Sequence, residues 1–348
     1  MKTLITGATG FLGSHLLRQL LASGDRAELR VFAQSRRESL HAQGVEVVTG
    51  SVTDAAAVAR AVAGVDRIYH LAGFVSRKPE DAARMYEVHV EGTRLLCEAA
   101  RSAGVRRMVL ASTSGTIAVS DRADDKPDES SAPPLALIGK WPYYASKYYQ
   151  EETARRGCGE AIELVTVNPS LLLGPGDDRL SSTRDVLQFL AGDIKICPSG
   201  GLNFVDARDV AAVLPTAMER GRPGERYLLG GYNWTFVEFF NRLARQTKLP
   251  APLLRAPRGR LTVYATEVQA ALYRKLGRTP PLEPKAVEMA GYFWYFDSTK
   301  ARDELGFQNR ESADTLHDTV SYLREHILGR KPLVATAAAR SDAPAAAE

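Results

Sequence analysis

Apolar and polar positions follow two periods along this chain, and the switches between them mark out its elements. Thr3-Leu4-Ile5 reads as a short buried strand. After it Leu12, Leu16 and Leu20 recur at i, i+4 and i+8, with Leu17 and Leu21 beside them, which predicts a helix with one apolar face. Further strands are expected at Leu29-Arg30-Val31-Phe32-Ala33, Val45-Glu46-Val47-Val48, Arg67-Ile68-Tyr69-His70-Leu71, Met108-Val109-Leu110-Ala111 and Leu164-Val165-Thr166-Val167. Between them fall predicted helices: one capped by Asp54 (Thr53 is the rival cap) and running through Val58 and Val62, one from about Asp81 to Ala103, and one over Tyr143 to Arg155. Strands alternating with helices predict an α/β fold with a doubly wound parallel sheet covered on both faces. After Asn168-Pro169 the pattern loosens. Short strands (Asn203 to Val205, Tyr227 to Leu229) mix with helices (Asp209 to Met218, Thr235 to Gln246, Leu261 to Leu276), which predicts a smaller mixed C-terminal lobe. The division expected is 1–170 for nucleotide binding, 171–330 for a substrate lobe interleaved with the last sheet strands, and 331–348 as an Ala-rich disordered tail.

The turn after the first strand, Thr6-Gly7-Ala8-Thr9-Gly10-Phe11-Leu12-Gly13, is where chemistry enters. Strand, glycine turn and helix together make a phosphate site. Gly7 permits a tight turn, Gly10 lets backbone approach a pyrophosphate, and Gly13 lets helix and strand pack closely. The helix N-terminus offers N–H groups and partial positive charge to an anion. The remaining composition narrows the setting. Hydrophobic residues make up 45% of the 348 and charged residues 25%, ordinary for a globular protein. A net charge of +4 without a dense basic block gives no reason to expect nucleic acid. Cys97, Cys158 and Cys197 lack metal-ligand spacing, so no metal is expected and the thiols read as reduced. With no apolar run long enough to span a bilayer and a strand at the very start, a cytoplasmic protein is expected.

Tyr143-Tyr144-Ala145-Ser146-Lys147 puts a phenol and an ammonium at i and i+4 on one helix face. A nearby cation favours phenolate and brings a group of pKa about 10 toward the working range. Such a phenol can exchange a proton with a carbinol oxygen while hydride moves at carbon. A hydroxyl at the end of the fifth strand, Thr113 or its neighbour Ser114, would bond the same oxygen. The second strand runs into Ala33-Gln34-Ser35-Arg36-Arg37 without the carboxylate that binds a ribose 2′-hydroxyl. Arg36 or Arg37 could instead pair with a 2′-phosphate, so NADP is expected, with NAD as the alternative.

The glycine turn, Leu71-Ala72-Gly73, Ser112-Thr113, Tyr143-x-x-x-Lys147, Asn168-Pro169, Phe296-Asp297-Ser298-Thr299-Lys300-Ala301 and Glu304-Leu305-Gly306-Phe307 together resemble the extended short-chain dehydrogenase/reductases. Asn168-Pro169-Ser170, Gly174-Pro175-Gly176-Asp177 and Gly277-Arg278-Thr279-Pro280-Pro281 look closest to the dihydroflavonol reductase, 3β-hydroxysteroid dehydrogenase and hopanoid-associated sugar epimerase branch. The resemblance implies a Rossmann-type fold, Tyr143 as acid/base, Lys147 as its electrostatic partner and a ribose ligand, and Thr113 orienting the substrate oxygen. It implies Gly7, Thr9, Gly10, Phe11, Leu12 and Gly13 at the pyrophosphate, Asp54 facing the adenine, and Val52, Leu71, Ala72, Gly73, Asn168 and Pro169 along the cofactor channel. His89 departs from the family pattern, which has Asn there, and reads as a structural helix histidine. Ser114-Gly115 stands where nucleotide-sugar dehydratases carry an Asp-Glu pair, which argues against dehydration. The first expectation is an NAD(P)-dependent oxidoreductase acting on a ketone or secondary alcohol of an apolar or ring-bearing small molecule. The alternatives are a nucleotide-sugar epimerase with tightly held NAD and a non-catalytic NADP-binding regulator. Leu261, Tyr264, Val268, Leu272, Tyr273, Tyr292, Phe293 and Trp294 suit either a greasy substrate or the core of the lobe. Relatives' habits imply a homodimer through the Met85–Ala103 and Tyr143–Arg155 helices.

Overall fold

The computed structural model describes residues 1–24, 28–34, 40, 44–257, 259–277 and 283–329. Its strands in chain order are β1 (Thr3–Thr6), β2 (Leu29–Ala33), β3 (Glu46–Thr49), β4 (Arg67–His70), β5 (Arg107–Ala111), β6 (Glu163–Pro169), β7 (Leu171–Leu173), β8 (Ile196–Cys197), β9 (Gly201–Asp206), β10 (Arg226–Leu229), β11 (Tyr232–Thr235) and β12 (Leu254–Arg255). Seven of them make one sheet in the order β10-β6-β5-β4-β1-β2-β3, every neighbour parallel. Strands buried on both faces are mainly apolar, and β2 is buried at all five positions, its one charged residue Arg30 bonded to Ala61 O and Ala63 O and paired with Glu46. The order reverses between β1 and β4, and in such sheets ligands bind outside the carboxyl ends at that reversal.

Helices cover both faces. Phe11–Ala22, Ala207–Arg220 and Thr299–Leu305 bury Leu16, Val210, Leu214, Ala217 and Ala301 against Ile5, Val31 and Val165. On the other face Ala55–Val62, Gly92–Ser102 and Pro142–Cys158 bury Val58, Val62, Leu96 and Ala154 against Leu4, Ile68 and Met108. This second layer also brings Cys97 and Cys158 to 3.7 Å between sulfurs, a contact invisible across 61 residues of sequence. A three-stranded mixed sheet, β11-β9-β7, carries its own core of Phe204, Trp234, Phe239, Phe240 and Leu316. The chain leaves the large sheet after β6 and returns to it at β10, so the two layers of structure interleave.

The expected continuous Asp81–Ala103 helix is interrupted. A 3₁₀ turn (Pro79–Asp81) and a short α-helix (Ala82–Tyr86) lead into a π-helical turn over Glu87–Glu91 before the Gly92–Ser102 helix begins. The widened turn carries His89 inward, fully buried, and Gly92 follows where a side chain would meet Val52 Cγ2 at 2.9 Å. Periodicity alone reads the whole stretch as apolar-faced helix and cannot register one extra residue in a turn.

Candidate active site

β1 and β4 end side by side, so the glycine turn after one meets Leu71-Ala72-Gly73 after the other. Gly7 has φ +76°, and a Cβ there would lie 2.5 Å from the Leu71 carbonyl carbon. At Gly13 a Cβ would lie 2.1 Å from Gly7 O. Gly10 is the N-cap of the Phe11–Ala22 helix and no side chain caps it, so the first-turn N–H groups stand over bare backbone at the sheet's carboxyl edge. Thr9, Leu71 and Ala72 are half-buried around this cradle, and Phe11, Leu12 and Val52 are buried beside it. The cradle fits a pyrophosphate and a dinucleotide laid along the channel.

β5 ends at Ala111, and the chain turns through Thr113 into a 3₁₀ turn over Ser114–Thr116. Of the two candidate hydroxyls, Thr113 is half-buried and near enough to the Tyr143 phenol to act on its titration, whereas Ser114 is buried. Tyr143 stands in the first turn of the Pro142–Cys158 helix, which Pro142 starts. Its ring lies edge-on to Tyr144 at 5.1 Å and to His89 at 5.9 Å. Burial raises its pKa well above the usual phenol range, Tyr144 adds to the rise, and Thr113 opposes it.

Lys147 is buried one turn along the same helix. Its ammonium donates to the Ala111 carbonyl at 2.7 Å and to Gln150 Oε1. Burial lowers Lys147 to about 8, with Glu151 pulling the other way. The one-turn spacing puts phenol and amine on one face, but the stem of Lys147 runs down to the sheet. Burial holds the phenol in its protonated, acid form.

Beneath these groups runs a buried polar chain. Thr6 Oγ1 meets His70 Nδ1 at 2.8 Å, His70 Nε2 meets Thr93 Oγ1 at 2.9 Å, and Gln150 Nε2 donates to Thr93 Oγ1 at 3.0 Å before its carbonyl takes Lys147. His89 Nε2 accepts from Phe74 N at 3.0 Å, so Nδ1 carries the proton and donates to Ser146 Oγ at 2.9 Å; that hydroxyl donates to Tyr143 O. His89 thus fixes the backbone of the tyrosine from below. Glu151, also buried, accepts from Ser112, Thr116 Oγ1 and Asn168 Nδ2, tying β5, β6 and the Tyr143 helix together. Neither Glu151 nor His70 was singled out in the sequence, because polar core residues on regular strands and helices leave no periodic mark.

These two histidines set a pH response. Burial lowers His70 to about 3 and His89 to about 2, the Lys147 charge acting the same way. Between these values and the unfolded value of about 6.5 the unfolded chain binds protons that the native state refuses. The histidines' contribution to stability is therefore full above about pH 6.5 and falls as pH drops below it. We expect about 1 kcal/mol lost per histidine between pH 7 and 5.5, read by urea unfolding. His89→Asn should flatten that slope; an unchanged slope would show that His89 protonates freely in the fold.

Aromatic rings cluster beyond Tyr143. Tyr144 packs on Trp294 at 4.8 Å between centroids, and Trp141 on Trp294 and Tyr292 at 5.5 and 5.4 Å. A Cβ on Gly115 would lie 2.2 Å from the Tyr144 ring, so no side chain fits at that position as the rings are packed. Phe293 is core, whereas Tyr264, Val268 and Leu272 are exposed, so the apolar set read together in the sequence splits into cluster, core and surface. Near Tyr144, Arg77, in the segment after β4, holds Asp185 in the Arg184–Leu190 helix at 2.8 and 2.9 Å. Burial pushes the Asp185 carboxyl up, and Arg77 more than reverses this, leaving it below its ordinary value.

Asp54 caps the Ala55–Val62 helix, its Oδ1 accepting from Ala56 N and Ala57 N at 3.0 and 3.1 Å, so only Oδ2 is left for an adenine. Gly73 lies beside the His89 ring, and Asn168 is buried with its amide spent on Thr113 O, Thr116 and Glu151, next to Pro169 at the end of β6. Arg36 and Arg37, the proposed 2′-phosphate partners, lie outside the described residues, as do Arg278 to Pro281 and residues 331–348. Among the described residues, no group of three His, Cys, Asp or Glu side chains could hold a metal.

Comparison with known proteins bears on the same features. Residues 3–230 match the NAD dependent epimerase/dehydratase family. Sterol demethylase protein B of Methylococcus capsulatus is 33% identical over 93% of this chain and 99% of its own. A putative dihydroflavonol 4-reductase of Synechocystis is 32% identical over 92% of this chain and 94% of its own. The structure of DesIV, a dTDP-glucose 4,6-dehydratase from Streptomyces venezuelae with NAD and TYD bound, superimposes with a TM-score of 0.75 at 25% identity, over 96% of this chain and all of that one. Glycine cradle, sheet reversal, tyrosine helix and these likenesses agree: the chain belongs to the NAD dependent epimerase/dehydratase family, the extended short-chain dehydrogenase/reductases, and is an oxidoreductase enzyme of that family.

Proposed function

We propose that this enzyme transfers hydride between NADP and a ketone or secondary alcohol on an apolar or ring-bearing molecule, with net reduction as the favoured direction. The observation that carries the reading is the Tyr143 phenol, protonated and half-buried near Thr113, beside the cluster of Tyr144, Trp294 and Trp141. When bound, the nicotinamide supplies or accepts the hydride at carbon. Gly7, Gly10, Gly13 and the N-terminus of the Phe11–Ala22 helix would hold its pyrophosphate. Tyr143 gives its proton to the carbonyl oxygen as charge develops there, and Thr113 donates a second hydrogen bond to that oxygen. Lys147 would bind the ribose, and its charge, near enough to lower both His70 and His89, favours negative charge in the pocket. Residues 1–170 would serve mainly the cofactor and 171–330 the substrate, and a homodimer would pack through the Gly92–Ser102 and Pro142–Cys158 helices. Support for reduction over dehydration comes from Gly115, where the Tyr144 ring fills the space an acidic side chain would need.

The test is oxidation of NADPH against NADH over a panel of cyclic apolar ketones, followed at 340 nm, about the absorbance maximum of the reduced nicotinamide. We expect turnover with NADPH, and an Arg36→Ala, Arg37→Ala double variant that weakens NADPH more than NADH. Equal weakening would dismiss the 2′-phosphate assignment. NAD that stays bound through dialysis, with no ketone reduced, would move the reading to a nucleotide-sugar epimerase.

A further inference from the structure

The helix Arg260–Lys275 has 16 residues, about 24 Å at 1.5 Å per residue. Thr266 and Ala270 are buried and face the protein. On the opposite side Tyr264, Val268, Leu272 and, just past the helix, Leu276 recur at i, i+4, i+8 and i+12, exposed by 65, 52, 56 and 63%. The segment that leads into the helix adds Leu253 and Leu254, exposed by 92 and 62%. A run of large apolar side chains given to solvent is unusual and marks a contact surface. Among the described residues no helix is long and apolar enough to cross a membrane.

Charge says what kind of surface would meet it. Across 253–278 the sequence places Arg255, Arg258, Arg260, Arg274, Lys275 and Arg278 against Glu267. The chain as a whole is only +4, so this short stretch carries more than the entire formal excess. A second copy meeting it face to face by twofold symmetry would oppose two such clusters. Residues 330–348 offer three basic groups and two acidic ones and so cannot neutralise it. An exposed apolar stripe set in basic residues on a helix too short to span is the pattern of a helix lying in a bilayer interface, its apolar side in the acyl boundary and its cations on anionic headgroups.

We infer that the Arg260–Lys275 helix, with Leu253 and Leu254, docks this enzyme peripherally on anionic membrane surfaces. The docked helix contacts the Pro284–Met289 helix, whose Glu288 accepts from Trp141 Nε1 and whose Met289 carbonyl accepts from Trp294 Nε1. The aromatic cluster is therefore one helix away from the lipid, a path by which a membrane-dissolved substrate would reach Tyr143. The docking itself does not depend on the reaction proposed above.

Cosedimentation of the full chain with vesicles tests it. We expect binding to vesicles of phosphatidylcholine with one-third phosphatidylglycerol, at least fivefold weaker binding to phosphatidylcholine alone, and loss in 0.5 M salt. Val268→Glu with Leu272→Glu should cut binding to the anionic vesicles tenfold or more. Both positions are exposed, so the variant should keep its Tm and its NADPH reduction of a water-soluble ketone. Equal sedimentation of parent and variant overturns the inference, as does no sedimentation of the parent. So does a parent dimer that the variant converts to monomer without vesicle binding, since the face would then be a self-association surface. Failure of ketone reduction with vesicle binding intact would count against the proposed reaction and leave the docking standing.

Discussion

Tyr143→Phe lowers turnover by roughly 10²–10⁴-fold while cofactor affinity and Tm stay at parental values. The magnitude is that of removing positioned acid/base help. The ring keeps its packing on Tyr144 and His89, so the fold has no reason to move. Thr113 loses a nearby hydroxyl, but it is half-buried and water can replace the phenol. The prediction concerns the chemical step alone, and single-turnover kinetics with saturating NADPH is the measurement that isolates it. Parental turnover would remove Tyr143 from the chemistry and, with it, the reaction proposed here. A large fall in Tm would instead mean that the hydroxyl supports the fold.

Gly13→Ala damages both stability and cofactor binding, and Gly10→Ala damages binding alone. The added methyl at Gly13 meets the Gly7 carbonyl at 2.1 Å, backbone against backbone, so the turn must shift. Overpacking of this kind costs about 1–3 kcal/mol, which is a fall of several degrees in Tm for a chain of this size. The displaced turn also withdraws the N–H groups of the Phe11–Ala22 helix, so NADPH affinity should drop about tenfold or more, as one such shift of 1.4 kcal/mol implies. At Gly10 the same methyl stands 3.2 Å from the Gly7 carbonyl, a contact a few tenths of an ångström relieves. Differential scanning fluorimetry with and without NADPH separates the two. Equal loss of Tm in both variants would show that close helix–strand packing is not what Gly13 provides.

How much of this was readable in the sequence differs by element. The strands of the large sheet were legible because burial on both faces leaves continuous apolar runs, and β2, β4 and β5 lie within one or two residues of where the pattern puts them. The glycine turn was legible because backbone collisions leave a residue-type signature. The Asp54 cap was legible for the same local reason. What stayed hidden is long-range. His89 and Ser146 are 57 residues apart and Glu151 and Ser112 are 39 apart, and nothing local tells that they meet. Helical spacing likewise puts Lys147 on the face of Tyr143 but does not tell that its ammonium meets the Ala111 carbonyl and Gln150. The π-helical turn at Glu87–Glu91 was missed because its residues keep an apolar period while the backbone widens around His89.

The Arg77–Asp185 pair joins the segment after β4 to the C-terminal lobe beside Tyr144, and Arg77 is 42% exposed there. An ion pair exposed on its arginine side and half-buried at Asp185 is worth about 1 kcal/mol, comparable to thermal energy. The clasp therefore biases the two sides toward contact without locking them. It weakens as dissolved ions screen it, so the hold of this segment on the C-terminal lobe depends on salt.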